Sequence, residues 1–280
     1  MTPSATILNG KEIAAEALDS CARKIQDLKK SGVTLTLATV RAGDPPDAIL
    51  YSNAIEKISL KTGVHYKPVR LPADTPRSDF YSEIEKLNSD PAITGIMILE
   101  PLPKHFNDPN VHLCIDKSKD VESPHLGFVE CDVSTPTATA CIWLIKKTGL
   151  DLTGKDAVVI GRSEIVGKPV AMYLLKLNMT VTFCHSKTID LPGHVRRADV
   201  VIASVGKPNL VKGDWIKPGA IVIDVGENII DGRPVGDIDF ESVKKVAGFI
   251  SPVPGGVGPI TNVVLMHNLL ILHNVTHGNS

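Results

Sequence analysis

The stretch AVVIGRSEIVGKP, residues 157–169, reads as a buried strand, a tight turn and the start of a helix. Four apolar residues run straight into Gly161, and Gly167 follows six residues later, just ahead of Pro169 and an apolar-rich run from 170 to 177. Only glycine lets a backbone approach another group without a Cβ clash, and a helix start leaves N–H groups unpaired. A strand that ends this way can therefore deliver backbone amides to a phosphate. The turn points to a nucleotide cofactor, and so to an enzyme. Alone it is weak evidence, because Ser163 stands where the usual pattern has its second glycine, and a plain β–α connection reads much the same.

Working outward, the chain alternates strand and helix signals. Residues 11–30 carry apolar side chains at helical spacing, and Gly32 closes that run. A strand is expected at 33–40, a turn at 43–46, a helix at 48–62 closed by Gly63, and a strand at 65–70. A helix at 79–87 and a short strand at 95–99 follow, and then a less regular stretch at 104–137. After a helix near 137–148, strands are expected at 157–161, 180–183, 200–204, 220–225 and 248–250, and a final helix at 261–275. This alternation predicts an α/β protein with mostly parallel sheets. The expected division is a first domain of residues 1–136 with 264–280, and a nucleotide-binding domain of residues 137–263.

The chain has 280 residues, a hydrophobic fraction of 43% and a formal charge of −1. A near-neutral chain has no general attraction for nucleic acid or an anionic membrane. No apolar run reaches the roughly 18–20 residues of a spanning helix, and the start MTPSATILNG lacks the pattern of a secretory signal. The five cysteines are widely spaced with no C-x-x-C, which suits a reducing cytoplasm and argues against a disulfide frame or a metal site.

Two further segments belong with the turn. The strand after it ends in Cys184-His185-Ser186-Lys187-Thr188, with no carboxylate to bond a ribose 2′-hydroxyl. With Arg162 and Ser163 in the turn, cations and hydroxyls stand where a 2′-phosphate would be read. NADP is favoured over NAD, which stays open. The second segment, SPVPGGVGPIT at 251–261, has three prolines and three glycines after a strand, so it can lay bare backbone against a flat ligand.

Together, GRSEIVGKP, CHSKT, the stretch 201–208 and PVPGGVGPIT resemble the methylenetetrahydrofolate dehydrogenase/methenyltetrahydrofolate cyclohydrolase family over nearly the whole chain. The resemblance implies a Rossmann-like second domain, a folate site in a cleft between the domains, and a homodimer. It also implies a small-molecule folate substrate with tetrahydrofolate as carrier. The cofactor residues it implies are Gly161, Arg162, Ser163, Ile165, Gly167, His185, Ser186, Thr188, Gly206 and Pro208. The loop residues it implies are Pro254, Gly255, Gly256, Val257, Pro259 and Thr261. Tyr51 and Glu122 are the candidate catalytic residues, both in substrate positioning.

The first half departs from the family pattern. The Tyr-Val-x-x-Lys signature keeps Tyr51 but has Ile55 in place of the lysine that assists hydrolysis. Lys57 lies about 200° further round the helix. Leu99 replaces the supporting glutamine, Glu122 the folate-binding aspartate, and Ala48 the serine before the tyrosine. Pro-Cys-Thr-Pro has become Val133-Ser134-Thr135-Pro136. Hydride transfer from a methylene bridge needs two rings held at close range and no protein base. Hydrolysis of the methenyl product needs activated water and proton transfer. The resemblance with these changes implies a dehydrogenase that has lost its cyclohydrolase. Three alternatives stand beside it: a bifunctional enzyme using Lys57 or Glu100, a non-catalytic folate- or nucleotide-binding homologue, and a dehydrogenase for another small substrate.

Overall fold

The computed structural model describes residues 4–106, 111–122 and 135–278. Cys131, Val133, Ser134 and Ser123 lie outside the described residues. In chain order the strands are β1 (Thr6–Ile7), β2 (Thr36–Ala42), β3 (His65–Leu71), β4 (Gly95–Ile98), β5 (Asp156–Ile160) and β6 (Thr180–Cys184). They continue with β7 (Val200–Ala203), β8 (Ile221–Asp224), β9 (Asn228–Ile230), β10 (Arg233–Val235) and β11 (Phe249–Ile250). The helices are α1 (Gly10–Lys30), α2 (Pro46–Thr62), α3 (Arg77–Ser89), α4 (Pro136–Lys146), α5 (Gly167–Lys176), α6 (Leu191–Val195), α7 (Phe240–Val243) and α8 (Gly258–His277).

The chain divides into two compact units, Met1–Ala15 with Thr135–Thr261 and Glu16–Ser134 with Asn262–Ser280. In the first unit six parallel strands lie in the order β1-β11-β8-β7-β5-β6. β7 and β8 are buried along their whole length, so they read as unbroken apolar runs rather than alternating ones. Val158, Ile160, Val201, Ala203, Val222 and Ile250 supply the core of this sheet. From β5 the chain passes through α5 to β6 on one side, then crosses back to β7 on the other. The loops after β5 and β7 therefore part at the point where α/β sheets take their ligands.

The second unit holds a smaller parallel sheet in the order β3-β2-β4, extended by a bridge between Ile96 and Asp120. β2 is wholly buried at its centre, while β3 is the partly exposed edge, the position that tolerates Pro68 without an N–H to donate. Phe80 and Ile84 of α3 pack with Val40, Ile96, Ile98 and Phe106.

Several boundaries differ from the expectations. The first long strand begins at Thr36, because Gly32 and Val33 donate to the carbonyls of Lys29 and Leu28 and so close α1 as a Schellman cap. α2 begins at Pro46 and α8 at Gly258, each with a proline in its first turn, where a missing N–H costs nothing. Pro259 and Thr261, expected in a loop, are therefore helical. Residues 1–15 group with the nucleotide-type sheet and not with residues 16–134. The cause is β1, which pairs beside β11 and brings the start of α1 with it.

Candidate functional site

The turn after β5 is built by backbone packing. Gly161 sits at φ +127°, and a Cβ there would lie 2.5 Å from both the carbonyl O and the Oγ of Ser204. A Cβ on Gly167 would lie 2.5 Å from the carbonyl O of Gly161. Three main-chain segments therefore touch where any side chain would part them. Ser163 folds back over the start of α5. Its Oγ accepts from the amides of Val166 (3.2 Å) and Gly167 (3.3 Å), and its carbonyl accepts from Lys168 N (3.1 Å). The amides of residues 162–165 donate to no backbone carbonyl among the described residues, and all four residues are exposed. The sequence places the phosphate at the helix's own first amides. The structure shows those consumed by Ser163 and leaves the preceding turn open. A glycine cradle with free amides beside exposed Arg162 fits a phosphate-bearing cofactor.

The segment after β6 is a closed turn. His185 N donates to Thr188 Oγ1 at 2.8 Å, and Thr188 N returns to His185 O at 2.9 Å. Lys187 N donates to His185 Nδ1 at 3.2 Å, so a neutral ring carries its proton on Nε2. Ser186 and Lys187 are exposed beside it. Gly161 N donates to Cys184 O at 2.9 Å, which ties this turn to the first.

The loop after β7, which carries Gly206 and Pro208, is held by a residue that sequence reasoning missed. Asp237 is fully buried, and its carboxylate accepts from the consecutive amides of Val205 (2.6 Å), Gly206 (3.0 Å) and Lys207 (2.8 Å), and from Asn228 Nδ2 (3.0 Å). Asp224, also buried, accepts from the amides of Gly226 (2.9 Å), Asp237 (2.9 Å) and Ile238 (3.0 Å). Burial pushes the Asp224 carboxyl up to about 6, against the pull of those amides and with the help of the Asp237 charge. A signal was present in the sequence. Asp224 ends an apolar strand, and Asp237 follows a glycine at the head of the next buried segment.

The proline–glycine loop uses its bare backbone against the chain itself. A Cβ on Gly10 would lie 1.7 Å from Gly256 O, and Gly10 N donates to Gly255 O at 2.9 Å. Ser251 Oγ accepts from Asp224 N at 2.8 Å, so the loop leaves β11 already fastened to the carboxylate pair. Pro254 is exposed and Val257 buried. Thr261 Oγ1 donates back to Gly258 O at 2.8 Å.

In the other unit, Tyr51 is half-buried on α2 with Ile55 one turn on. Ala48, Ser52, Ile55, Ser59 and Thr62 form the buried stripe of that helix. Position 55 thus faces inward, where isoleucine is fully covered, while Lys57 is exposed. Leu99 is 1% exposed and also apolar. Tyr66 Oη is shared by Thr39 Oγ1 (2.7 Å) and Ser52 Oγ (2.8 Å). Glu100 meets His112 Nε2 at 3.0 Å. Lys119 caps α3 through the carbonyls of Leu87, Asn88 and Asp90, which anchors the segment bearing Asp120 and Glu122. Glu122 N donates to Asp120 Oδ1 at 3.0 Å. Loss of water around its carboxyl, then the charges of Asp120 and Glu100, push Glu122 up to about 8. At neutral pH it keeps its proton and can donate as well as accept.

Comparison with known proteins gives one answer across the chain. The family model described as tetrahydrofolate dehydrogenase/cyclohydrolase, catalytic domain, matches residues 8–122, and its NAD(P)-binding domain matches residues 135–277. A "Bifunctional protein FolD 2" of Geobacter sulfurreducens is 45% identical over 273 residues, covering 95% of this chain and 96% of the relative. The crystal structure of a bifunctional FolD methylenetetrahydrofolate dehydrogenase/cyclohydrolase from Campylobacter jejuni superposes with a TM-score of 0.93 at 36% identity, covering 97% of this chain and 100% of that one. The Trypanosoma brucei enzyme, solved with NADP and an inhibitor, gives 0.90 at 32% identity, covering 98% and 99%. Among the described residues no helix is long and apolar enough to cross a membrane.

The raised Glu122 carboxyl makes a signed prediction. Between about pH 4.5, its ordinary value, and about pH 8, the folded chain holds a proton that the unfolded chain has lost. Its contribution to stability therefore falls as pH rises through that window. Glu122→Gln, neutral throughout, is expected to gain stability relative to the parent from pH 5 to pH 8 in urea unfolding. A difference that stays flat with pH would show that Glu122 titrates normally.

Proposed function

The chain belongs to the tetrahydrofolate dehydrogenase/cyclohydrolase family, and from that premise we propose that it oxidises 5,10-methylenetetrahydrofolate to 5,10-methenyltetrahydrofolate with NADP. The observation that carries this reading is the intact turn of Gly161, Gly167 and Ser204 with open amides before α5. Bound there, NADP supplies the hydride acceptor. Exposed Arg162, with Ser186 and Lys187 after β6, supplies charge and hydroxyl for a 2′-phosphate. In the other unit Tyr51 gives an aromatic surface for the pterin. Glu122, held in place by Asp120 and Lys119, offers a carboxyl to its ring nitrogens. Binding a donor-rich edge there would favour the carboxylate and release the proton. The homodimer and the cytoplasmic setting belong to the same proposal.

Two readings of the second step each have support. The relatives' names favour a bifunctional enzyme that also hydrolyses the methenyl product. The dehydrogenase-only reading rests on Ile55 and Leu99, which put buried hydrocarbon on α2 and after β4, while Lys57 faces solvent. Hydrocarbon cannot shuttle a proton to or from water. A paired assay on one preparation separates them. Cofactor reduction with methylenetetrahydrofolate is expected under both. Methenyl decay at the buffer rate is expected for a dehydrogenase alone, and catalysed decay would establish the bifunctional enzyme. No cofactor reduction with either NADP or NAD would overturn the dehydrogenase itself.

Cofactor choice is read by a second variant. Arg162→Ala is expected to raise the KM for NADP roughly tenfold or more, as loss of a charge-assisted contact does, and to change the KM for NAD far less. Equal losses for both would show that Arg162 does not read the 2′-phosphate.

A further inference from the structure

We propose that Asp237 is a positioning residue for the cofactor. Its carboxylate fills the amide nest of the loop after β7 from within, which fixes residues 205–208 beside the nucleotide turn and denies that nest to phosphate. The inference rests on the NADP reading above. Three successive N–H groups curled round one point are an anion site by construction. Here the anion is internal: Val205 N and Gly206 N converge on Asp237 Oδ2, and Lys207 N on Oδ1, which also receives Asn228 Nδ2. All four of these donors are amides. A carboxylate taken out of water costs several kcal/mol unless its hydrogen bonds are met, and here they are.

The pocket round Asp237 is closed by main chain. A Cβ on Gly226 would lie 2.4 Å from Asp237 Cγ, so the strand-end turn presses directly on the carboxylate. Asp237 is itself aimed by Asp224, which accepts its amide and that of Ile238 and is tied through its own N–H to Ser251. The consequence reaches the cofactor turn in one step. Ser204, the residue before the captured loop, donates its amide to Ile160 O at 2.8 Å and supplies the oxygens that force glycine at 161. The position of the loop after β7 and that of the turn after β5 are therefore set together, at the point where the sheet's connections part.

The test is steady-state kinetics on the full chain. Asp237→Asn keeps the shape but turns one oxygen into an NH2, and in either orientation that group meets two N–H donors. Leaving buried donors unmet is expected to raise the KM for NADP roughly tenfold, with kcat at saturating NADP and the KM for methylenetetrahydrofolate within about threefold. A scaffold-only role would lower thermal stability and active fraction, and so kcat, without moving the NADP KM. That outcome would overturn the proposal. Asn228→Ala, which removes one donor from outside the loop, guards against an unfolded variant. It is expected to raise the NADP KM about threefold, and an unchanged KM would also contradict the proposal. A parent protein that turns over no NADP would instead sink the functional reading on which the inference rests.

Discussion

Two carboxylates taken out of water and satisfied by backbone amides hold together the loops after β7 and β8 of the larger sheet. Asp237 gathers the loop after β7, and Asp224 gathers the turn after β8 and the segment that bears Asp237. Through Ser251 the same pair reaches the proline–glycine loop after β11. Each amide given to a charged acceptor contributes about 1.5–3 kcal/mol, which offsets the several kcal/mol of desolvation per buried ion. In the loop after β7 and the turn after β8, N–H groups point at internal carboxylates. The amides of residues 162–165 donate to no backbone carbonyl among the described residues, and beside them Gly161, Gly167 and Ser204 let the backbone turn tightly.

The second unit is organised differently. Its candidate site hangs on the buried stripe of α2 and on the segment at 119–122, which Lys119 pins to the end of α3. Ile55 and Leu99 are both buried. Loss of water around its carboxyl, then the charges of Asp120 and Glu100, push Glu122 up to about 8.

Much of this was legible in the sequence, and what was not has physical causes. Long elements declared themselves by periodicity, as in α1 and in the apolar runs of β5, β7 and β8. β1 did not, because two residues carry no period and its pairing with β11 spans most of the chain. The hairpin of β9 and β10 was missed although Asp231-Gly232, both at positive φ, is a strong two-residue turn signal. Its strands, at three residues each, are too short to alternate visibly. At the site, Gly161 and Gly167 carry the turn by close main-chain packing. Ser163 Oγ also accepts from two amides at the start of α5, and a Cβ on Gly10 would meet Gly256 O of the same chain, contacts that spacing along the sequence does not show. Asp224 and Asp237 escaped because buried acids are rare, and nothing short of the fold brings thirteen-residue neighbours to one amide cluster.

On the NADP reading, the nucleotide phosphates go to the open amides at residues 162–165, while the nest at 205–207 is already filled by Asp237. Amide hydrogen exchange, resolved by residue with and without NADP, tests it most directly. Val205–Lys207 are expected to exchange slowly in the free protein and change little on binding, whereas residues 162–165 are expected to exchange fast when free and become protected by NADP. Fast exchange at 205–207 that slows only when NADP is added, with 162–165 unaffected, would contradict it.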